Sequence, residues 1–429
     1  MIRIEMLNYR SLRYVCQEIG QYQFLVGSNA VGKSNFLDAI VFIRDMLNYG
    51  PRAAVLGGEP WEIPGRVKDA RDICWRRGGN GFQLAIELAI PEDIYGRMLR
   101  RWARARYEVS IKIANDGEDV SIDEENLWLV PVHARAFEED HESEDCCDCC
   151  GAKNEPPATI MVYPGDSKHW NKVIDKNTRL GQDCFRPEFG ESEDIIQPAS
   201  SGLALVNLPD DEANFPVATW VKRVLSEGIQ QIELDMEKIR RGSLRCAPTS
   251  YCEPDGSNIA TLVEKLRSDA SDRFIRWVEH LRTAMPDLRN VQIVAETEAG
   301  RRHVVLEHDN GFKAPLYMHS DGTVRLLALT LLAYSPNPDR IYLIEEPERS
   351  IAPNAMQTVY DSLASLYHSR VLCTSQSPTL LTMTKTRDLL CFSKTADGAT
   401  EVIRGDVHPR LRDLQQQVSH EMLCIAGVL

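Results

Sequence analysis

Between Gly27 and Ser34 the chain reads Gly-Ser-Asn-Ala-Val-Gly-Lys-Ser: a glycine, four residues, then Gly-Lys-Ser. This octapeptide constrains the fold because each position answers to the shape of an oligophosphate. Gly27 and Gly32 let the backbone turn and bring its amides close to anionic oxygens. Lys33 is long enough to reach the β- and γ-phosphates, and the Ser34 hydroxyl is a hard ligand for Mg²⁺. Gln23–Val26 reads as a short strand before the loop. Phe36, Ile40 and Ile43 keep helical spacing after it, so a helix N-terminus points its positive end at the anion. The prediction is a strand–loop–helix unit of an α/β protein, with Gly27, Ser28, Asn29, Ala30, Val31, Gly32, Lys33, Ser34 and Asn35 cradling a nucleoside triphosphate.

The partner of such a loop should be acidic, and a candidate lies far downstream. Ile341–Ile344 is an apolar run that ends in Glu345-Glu346-Pro347-Glu348. Glu345 at a strand end can hold the Mg²⁺ shell through water, and Glu346 can polarise the attacking water as general base. Upstream, Ser320-Asp321-Gly322-Thr323 is a small polar turn before an apolar helix, a second anion-binding N-terminus. Downstream, Cys373-Thr374-Ser375-Gln376-Ser377-Pro378 follows a strand and sets Gln376 where a γ-phosphate sensor would sit.

The order of phosphate loop, long insertion, serine–glycine turn, acidic strand and polar sensor resembles the ABC-type ATPases, in particular the RecF/SMC/OLD-like group of AAA-family ATPases. The openings Asn8-Tyr9-Arg10-Ser11-Leu12 and Asp255-Gly256-Ser257-Asn258 are similar to that group too, and the resemblance spans about residues 1–90 and 250–405. It implies an α/β fold: an ABC-ATPase-like P-loop head with an antiparallel β-subdomain and a mixed or helical insertion. It also implies ATP and Mg²⁺ as cofactors and ATP hydrolysis with Glu346, Lys33 and Gln376 as catalytic residues. Ser34 and Glu345 would be the metal-side residues, and Glu348–Pro353 the D-loop region. Members of the group sandwich ATP between two heads, so Ser320, Asp321 and Gly322 would meet the nucleotide of a second copy in a homodimer. Two positions depart from the group. Glu345 stands where an aspartate is usual, and Gln376 replaces the switch histidine and cannot carry a proton. Slow turnover, with ATP acting mainly as a clamp, is the expectation. The stretch after Gln376 is too short for the Toprim nuclease of OLD-type proteins. A separately encoded nuclease or other effector, as in anti-phage defence, is therefore the expected partner.

The expected domain plan is an N-terminal part of the head at 1–95, an insertion at 96–250 with a Cys-rich loop at 136–157 and an irregular stretch over 158–215, and a C-terminal part of the head at 251–429. The 429 residues carry a net charge of −14, which argues against wholesale coating by nucleic acid but leaves room for a local basic groove. Residues 92–106 read as a basic helical segment with Arg97, Arg100, Arg101 and Arg104 on one side. Lys238, Arg240, Arg241 and Arg245 form a second cluster. Either cluster could meet DNA phosphates, or be a salt-bridged solvated face. Cys146 and Cys149 offer a candidate Zn²⁺ knuckle, but a second paired motif is not clear, and reactive thiols in an acidic loop are the plainer reading. No apolar run approaches a membrane span and the start is not signal-like, so no membrane association and a cytoplasmic location are expected. Two functions compete: an ATPase that controls DNA transactions or a separate effector through ATP-dependent dimerisation, and an assembly scaffold that regulates a partner without touching DNA. A transporter-type ATP-binding subunit fits less well, because its signature and switch motifs look different.

Overall fold

The computed structural model describes residues 1–58, 63–95, 102–114, 116–131, 155–163, 169–177, 181–189, 194–198, 202–244, 251–296, 300–335, 340–367 and 369–411. Strands β1 (Arg3–Tyr9) and β2 (Leu12–Glu18) form a hairpin, β3 (Tyr22–Val26) enters the phosphate loop, and α1 (Lys33–Tyr49) and α2 (Pro51–Leu56) follow. Next come β4 (Gly81–Ala89), α3 (Glu92–Tyr95), β5 (Trp102–Ile113), β6 (Val120–Pro131), β7 (Asn171–Asn177), β8 (Gln182–Phe185) and β9 (Ile195–Pro198). Then the chain forms α4 (Pro216–Glu227), β10 (Ile229–Ile232), α5 (Met236–Arg240), β11 (Ser243–Leu244), α6 (Ile259–Asp269), α7 (Ser271–Ala284), β12 (Leu288–Ala295), β13 (Arg301–His308) and β14 (Lys313–Pro315). The remaining elements are α8 (Asp321–Tyr334), β15 (Ile341–Glu345), α9 (Met356–Ala364), β16 (Arg370–Thr374), α10 (Pro378–Thr382), β17 (Leu389–Lys394) and β18 (Thr400–Arg404).

These elements divide into two units. The first comprises Met1–Gly20, Asn29–Ile229 and Phe392–Ile403, and the second Gln21–Ser28, Gln230–Cys391 and Arg404–Leu429. The first unit is built on an antiparallel sheet in the order β2-β1-β4-β5-β6-β7-β8-β9. Period-two patterning gives it two different faces. Phe82, Leu84 and Ile86 of β4 are buried, and Tyr9 and Phe82 pack with Phe42 of α1 at ring-centroid distances of 5.2–5.9 Å. The opposite face carries charge at Glu87 of β4 and at Arg106 and Glu108 of β5. Arg106 reaches Glu5 at 3.0 Å, Glu87 at 3.1 Å and Glu108 at 2.5 Å, and also donates to the Ile160 carbonyl at 2.9 Å. All four charged side chains are buried.

Two sequence expectations need correction in this unit. Among the described residues of the stretch read as a basic helix over 92–106, the helical part is the single turn α3, and Arg104 and Arg106 lie on β5. Arginines spaced for a helix face were misleading, because Ala105, Tyr107 and Val109 between them bury as strand residues do. Arg104 pairs with Glu87 at 3.2 Å, while Arg97, Arg100 and Arg101 lie outside the described residues. The region 158–215, read as irregular, contributes β7, β8 and β9 to the sheet, since strands this short broken by Pro and Asp leave little periodicity to find.

The second unit has the parallel sheet that a phosphate loop requires, running β10-β15-β16-β3-β17. Strands β15, β16, β3 and β17 are mutually parallel. Every residue of β3 is buried, as is Ile341–Ile344 of β15, in keeping with strands covered on both faces. Their cover includes α8, whose Leu326–Leu332 run is buried on nearly every side, together with Trp277 and Leu281 of α7 and Val359 and Leu363 of α9. Each fully buried leucine there contributes roughly 1.5–3 kcal/mol. A smaller antiparallel sheet, β11-β13-β12 with β14 on β13, belongs to the same unit.

Candidate active site

In the second unit, parallel register brings together residues that are remote in sequence. Glu345 pairs with Thr374, and Thr374 pairs with Leu25. Neighbouring strands lie about 4.8 Å apart, so the carboxyl ends of β15, β16 and β3 meet at one edge. Gly27 and Ser28 leave that edge after β3, Glu345 and Glu346 after β15, and Ser375 and Gln376 after β16. Ligands of open parallel sheets bind at this edge. Glu345 and Glu346 are exposed there. Glu346 has a left-handed φ of 46°, uncommon for a side chain with a Cβ. Its amide donates to the Thr374 carbonyl at 3.1 Å and to Thr374 Oγ1 at 3.2 Å, which holds that conformation in place.

The serine–glycine turn opens α8 as expected. Ser320 is its N-cap, with Oγ accepting from the Thr323 amide at 3.3 Å. Asp321, in the first turn, pairs with Arg240 at 2.6 Å, and Arg240 also donates to the His319 carbonyl at 2.8 Å. Gly322 lies against the turn that follows β15: a Cβ added there would stand 2.1 Å from the Ser350 carbonyl oxygen. Arg325, one turn further on, has its pKa lowered, first by burial and then by Arg349, while Asp321, Glu346 and Glu348 pull it back. A sequence alone offered no signal for Arg325 or for Arg240 as the clasp on Asp321. Lys238, next to Arg240 in the sequence cluster, pairs with Asp255 at 2.8 Å. Arg245 lies outside the described residues.

The rest of the phosphate loop, Asn29–Ser34, belongs to the first unit. Ala30 and Gly32 have φ of 63° and 112°, and α1 begins at Lys33, with the Phe36 amide donating to the Gly32 carbonyl at 3.0 Å. The loop is braced from behind. Thr400 Oγ1 donates to the Val31 carbonyl at 2.6 Å and lies 2.8 Å from Ser11 Oγ, which accepts from Asn35 Nδ2 at 2.7 Å. A Cβ on Gly32 would stand 2.1 Å from Thr400 Oγ1, so only glycine fits that position. Asn35 thus braces the loop through Ser11. Ser11 was visible within the Asn8–Leu12 stretch, and Thr400 was missed for want of any local pattern. One turn along α1, Asp38 accepts from Tyr9 Oη at 2.6 Å and pairs with Arg10 and Arg66, each at 2.8 Å.

The oxygen donors suit a hard cation. The Ser34 hydroxyl of the first unit and the Glu345 carboxylate of the second are each an oxygen ligand of the type Mg²⁺ takes. Cys146 and Cys149 lie outside the described residues. Among the described residues no group of three or more His, Cys, Asp or Glu side chains could hold a metal. Burial pushes the thiols of Cys74, Cys252 and Cys391 up to about 12, so these behave as core residues. Trp75 lines a cavity of about 570 Å³ in the first unit with Arg13, Lys112 and Asp123.

Residues 185–382 match a protein family described as "AAA domain, putative AbiEii toxin, Type IV TA system". No curated protein matches the chain. Among solved structures, it superposes on an SMC head bound to the C-terminal winged-helix domain of ScpA with a TM-score of 0.51. The identity is 12%, over 94% of this chain and 97% of that one. It is also similar to the SMC head domain of Thermotoga maritima, at 10% identity and a TM-score of 0.42, covering 94% of this chain and 97% of that one. A third is the Pyrococcus furiosus SMC head with an extended coiled coil bound to the C-terminal domain of ScpA, at 13% identity and a TM-score of 0.43 over 94% and 95%. Identities this low speak to fold alone. The chain has the mixed α/β fold of an SMC-head P-loop ATPase, and its 185–382 segment is similar to an AAA domain.

Proposed function

We infer that this chain binds ATP with Mg²⁺ at Gly27–Ser34 and hydrolyses it, and that the bound nucleotide governs the pairing of two copies and, through it, a separate effector. The observation that carries this reading is the shared strand-end edge, where the start of the phosphate loop, Glu345-Glu346 and Gln376 follow three parallel strands. Lys33 and the loop amides bind the phosphates. Ser34 and Glu345 would hold Mg²⁺, which when bound neutralises charge on the phosphate oxygens. Glu346 takes a proton from the attacking water, and the Gln376 amide donates a hydrogen bond to the γ-phosphate. Gln376 carries no proton, so turnover stays below about 10 per second, the median enzyme rate. Ser320, Asp321 and Gly322, at the N-terminus of α8, meet the nucleotide of a second copy. A ligand touching both copies stabilises the pair, and hydrolysis removes the contact.

The effector in this reading is a protein rather than DNA. Among the described residues of the two basic clusters, Arg104 pairs with Glu87, Lys238 with Asp255 and Arg240 with Asp321. The net charge of −14 points the same way. One SMC head of this fold is seen with a protein partner, ScpA. A cytoplasmic role beside a separately encoded nuclease, in anti-phage defence, fits such a chain. Among the described residues no helix is long and apolar enough to cross a membrane. Light scattering of Glu346→Gln with and without ATP tests the pairing, and the expected result is a doubling of mass with ATP. Steady-state hydrolysis with and without double-stranded DNA tests the partner. Stimulation by DNA that fades steeply with salt would restore the DNA-clamping reading.

A further inference from the structure

Glu348 stands two residues beyond Glu346, in the turn that closes β15. One of its carboxylate oxygens, Oε1, accepts three hydrogen bonds from three consecutive residues: Ser375 Oγ at 2.7 Å, the Gln376 amide at 3.1 Å and the Ser377 amide at 3.2 Å. Three donors aimed at one charged oxygen leave the loop after β16 little freedom, because charge-assisted bonds of this kind are about twice as strong as neutral ones. The loop is tied at its ends as well. The Ser375 amide donates to the Leu25 carbonyl of β3 at 3.2 Å, and Ser377 Oγ accepts from the Leu380 amide at 3.4 Å as the cap of α10. The other carboxylate oxygen, Oε2, is buried without a hydrogen-bond partner. Burying a carboxylate oxygen in that way is unfavourable, and a fold that tolerates it has a use for the other oxygen.

The geometry points to Glu348 as a positioning residue. It sets the backbone of residues 375–377, and so the place of Gln376, against Glu346, which Thr374 holds from the same strand. The two groups assigned to the attacking water and the γ-phosphate are thereby parts of one hydrogen-bonded piece rather than two independent loops. This deepens the ATP-hydrolysis reading and rests on it for the catalytic consequence, but the clamp itself can be tested without nucleotide.

The experiment combines amide hydrogen exchange with kinetics on the full chain. In Glu348→Ala the Gln376 and Ser377 amides should exchange at least about tenfold faster while the Leu372 amide in β16 is unchanged. The same variant should lose at least about tenfold in kcat, with ATP affinity by direct binding held within about threefold. Glu348→Gln keeps an acceptor oxygen and should recover most of the rate. Added to Gln376→Ala, Glu348→Ala should cost no more than about twofold further, since it acts through that residue. Should Glu348→Ala not fold, Ser375→Ala removes a donor to the same oxygen and should shift exchange and rate in the same direction. Unchanged exchange at Gln376 and Ser377, or a full additional loss of rate in the Gln376→Ala background, overturns the assignment. A wild-type protein that binds ATP without hydrolysing it overturns the ATPase reading and the catalytic role together, while faster exchange would still establish the clamp.

Discussion

At the scale of single residues, two glycines in the proposed site are required for different reasons. Gly32 has φ of 112°, and its missing Cβ makes room for the Thr400 hydroxyl that braces the loop. Gly322 lacks a Cβ because the Ser350 carbonyl oxygen would lie 2.1 Å from it. A side chain can rotate away from an intruding methyl, but a backbone carbonyl cannot without moving its turn. Gly322→Ala is therefore expected to push the start of α8 off the turn after Glu348, at a cost of about 1–3 kcal/mol. The measurement is the urea midpoint, with Gly398→Ala for contrast. That glycine has φ of 85° and open space around it, so a methyl there meets only backbone strain. Equal losses in the two variants would show that the close approach to Ser350 does not matter.

At the scale of elements, β5 shows what an arginine on a strand is for. Arg106 bridges three carboxylates, Glu5, Glu87 and Glu108, in the middle of the eight-stranded sheet. Replacing it with methionine keeps most of the volume and takes from buried Glu108 the cation it is bound to, while Glu5 keeps Arg3 and Glu87 keeps Arg104. Breaking a buried ion network from one side typically costs about 3–5 kcal/mol. The urea transition of Arg106→Met should fall accordingly, and Arg106→Lys should recover only part of the loss, because a compact ammonium lacks the planar five-donor fork that reaches the three carboxylates and the Ile160 carbonyl. Full recovery by lysine would mean that charge alone matters.

At the scale of the whole molecule, two buried acids make stability depend on pH. Glu125 accepts from Tyr107 Oη and the Leu205 amide, each at 2.9 Å. Glu188 accepts from the Val217 and Ala218 amides at the start of α4, at 3.0 and 2.8 Å. Burial pushes both from an ordinary 4.5 up to about 7, against the pull of these hydrogen bonds. The folded chain therefore keeps two protons that the unfolded chain releases as pH rises between about 4.5 and 7. Their contribution is favourable at the acid end and is lost through that window, on the order of 3 kcal/mol for each group by pH 8. Urea midpoints at pH 5 and pH 8 should show the decline, and Glu125→Gln with Glu188→Gln should flatten it. A midpoint that rises from pH 5 to pH 8 would contradict the assignment.

The sequence by itself determined the strand–loop–helix around Gly27–Ser34, the acidic end of β15, the cap at Ser320 and the antiparallel sheet beside the core. Each of these is local: a turn that needs glycine, a run buried on both faces, a side chain that reaches its own helix. Tertiary structure alone decided what depends on register between distant segments. Thr400 behind the phosphate loop, Arg240 on Asp321, Ser350 under Gly322 and the hold of Glu348 on residues 375–377 leave no periodicity to read. The arginines of β5 show the same limit in reverse. Arg97, Arg100, Arg101 and Arg104 have helical spacing in sequence, yet Arg104 lies on β5 with Arg106, which stands opposite Glu87 of β4.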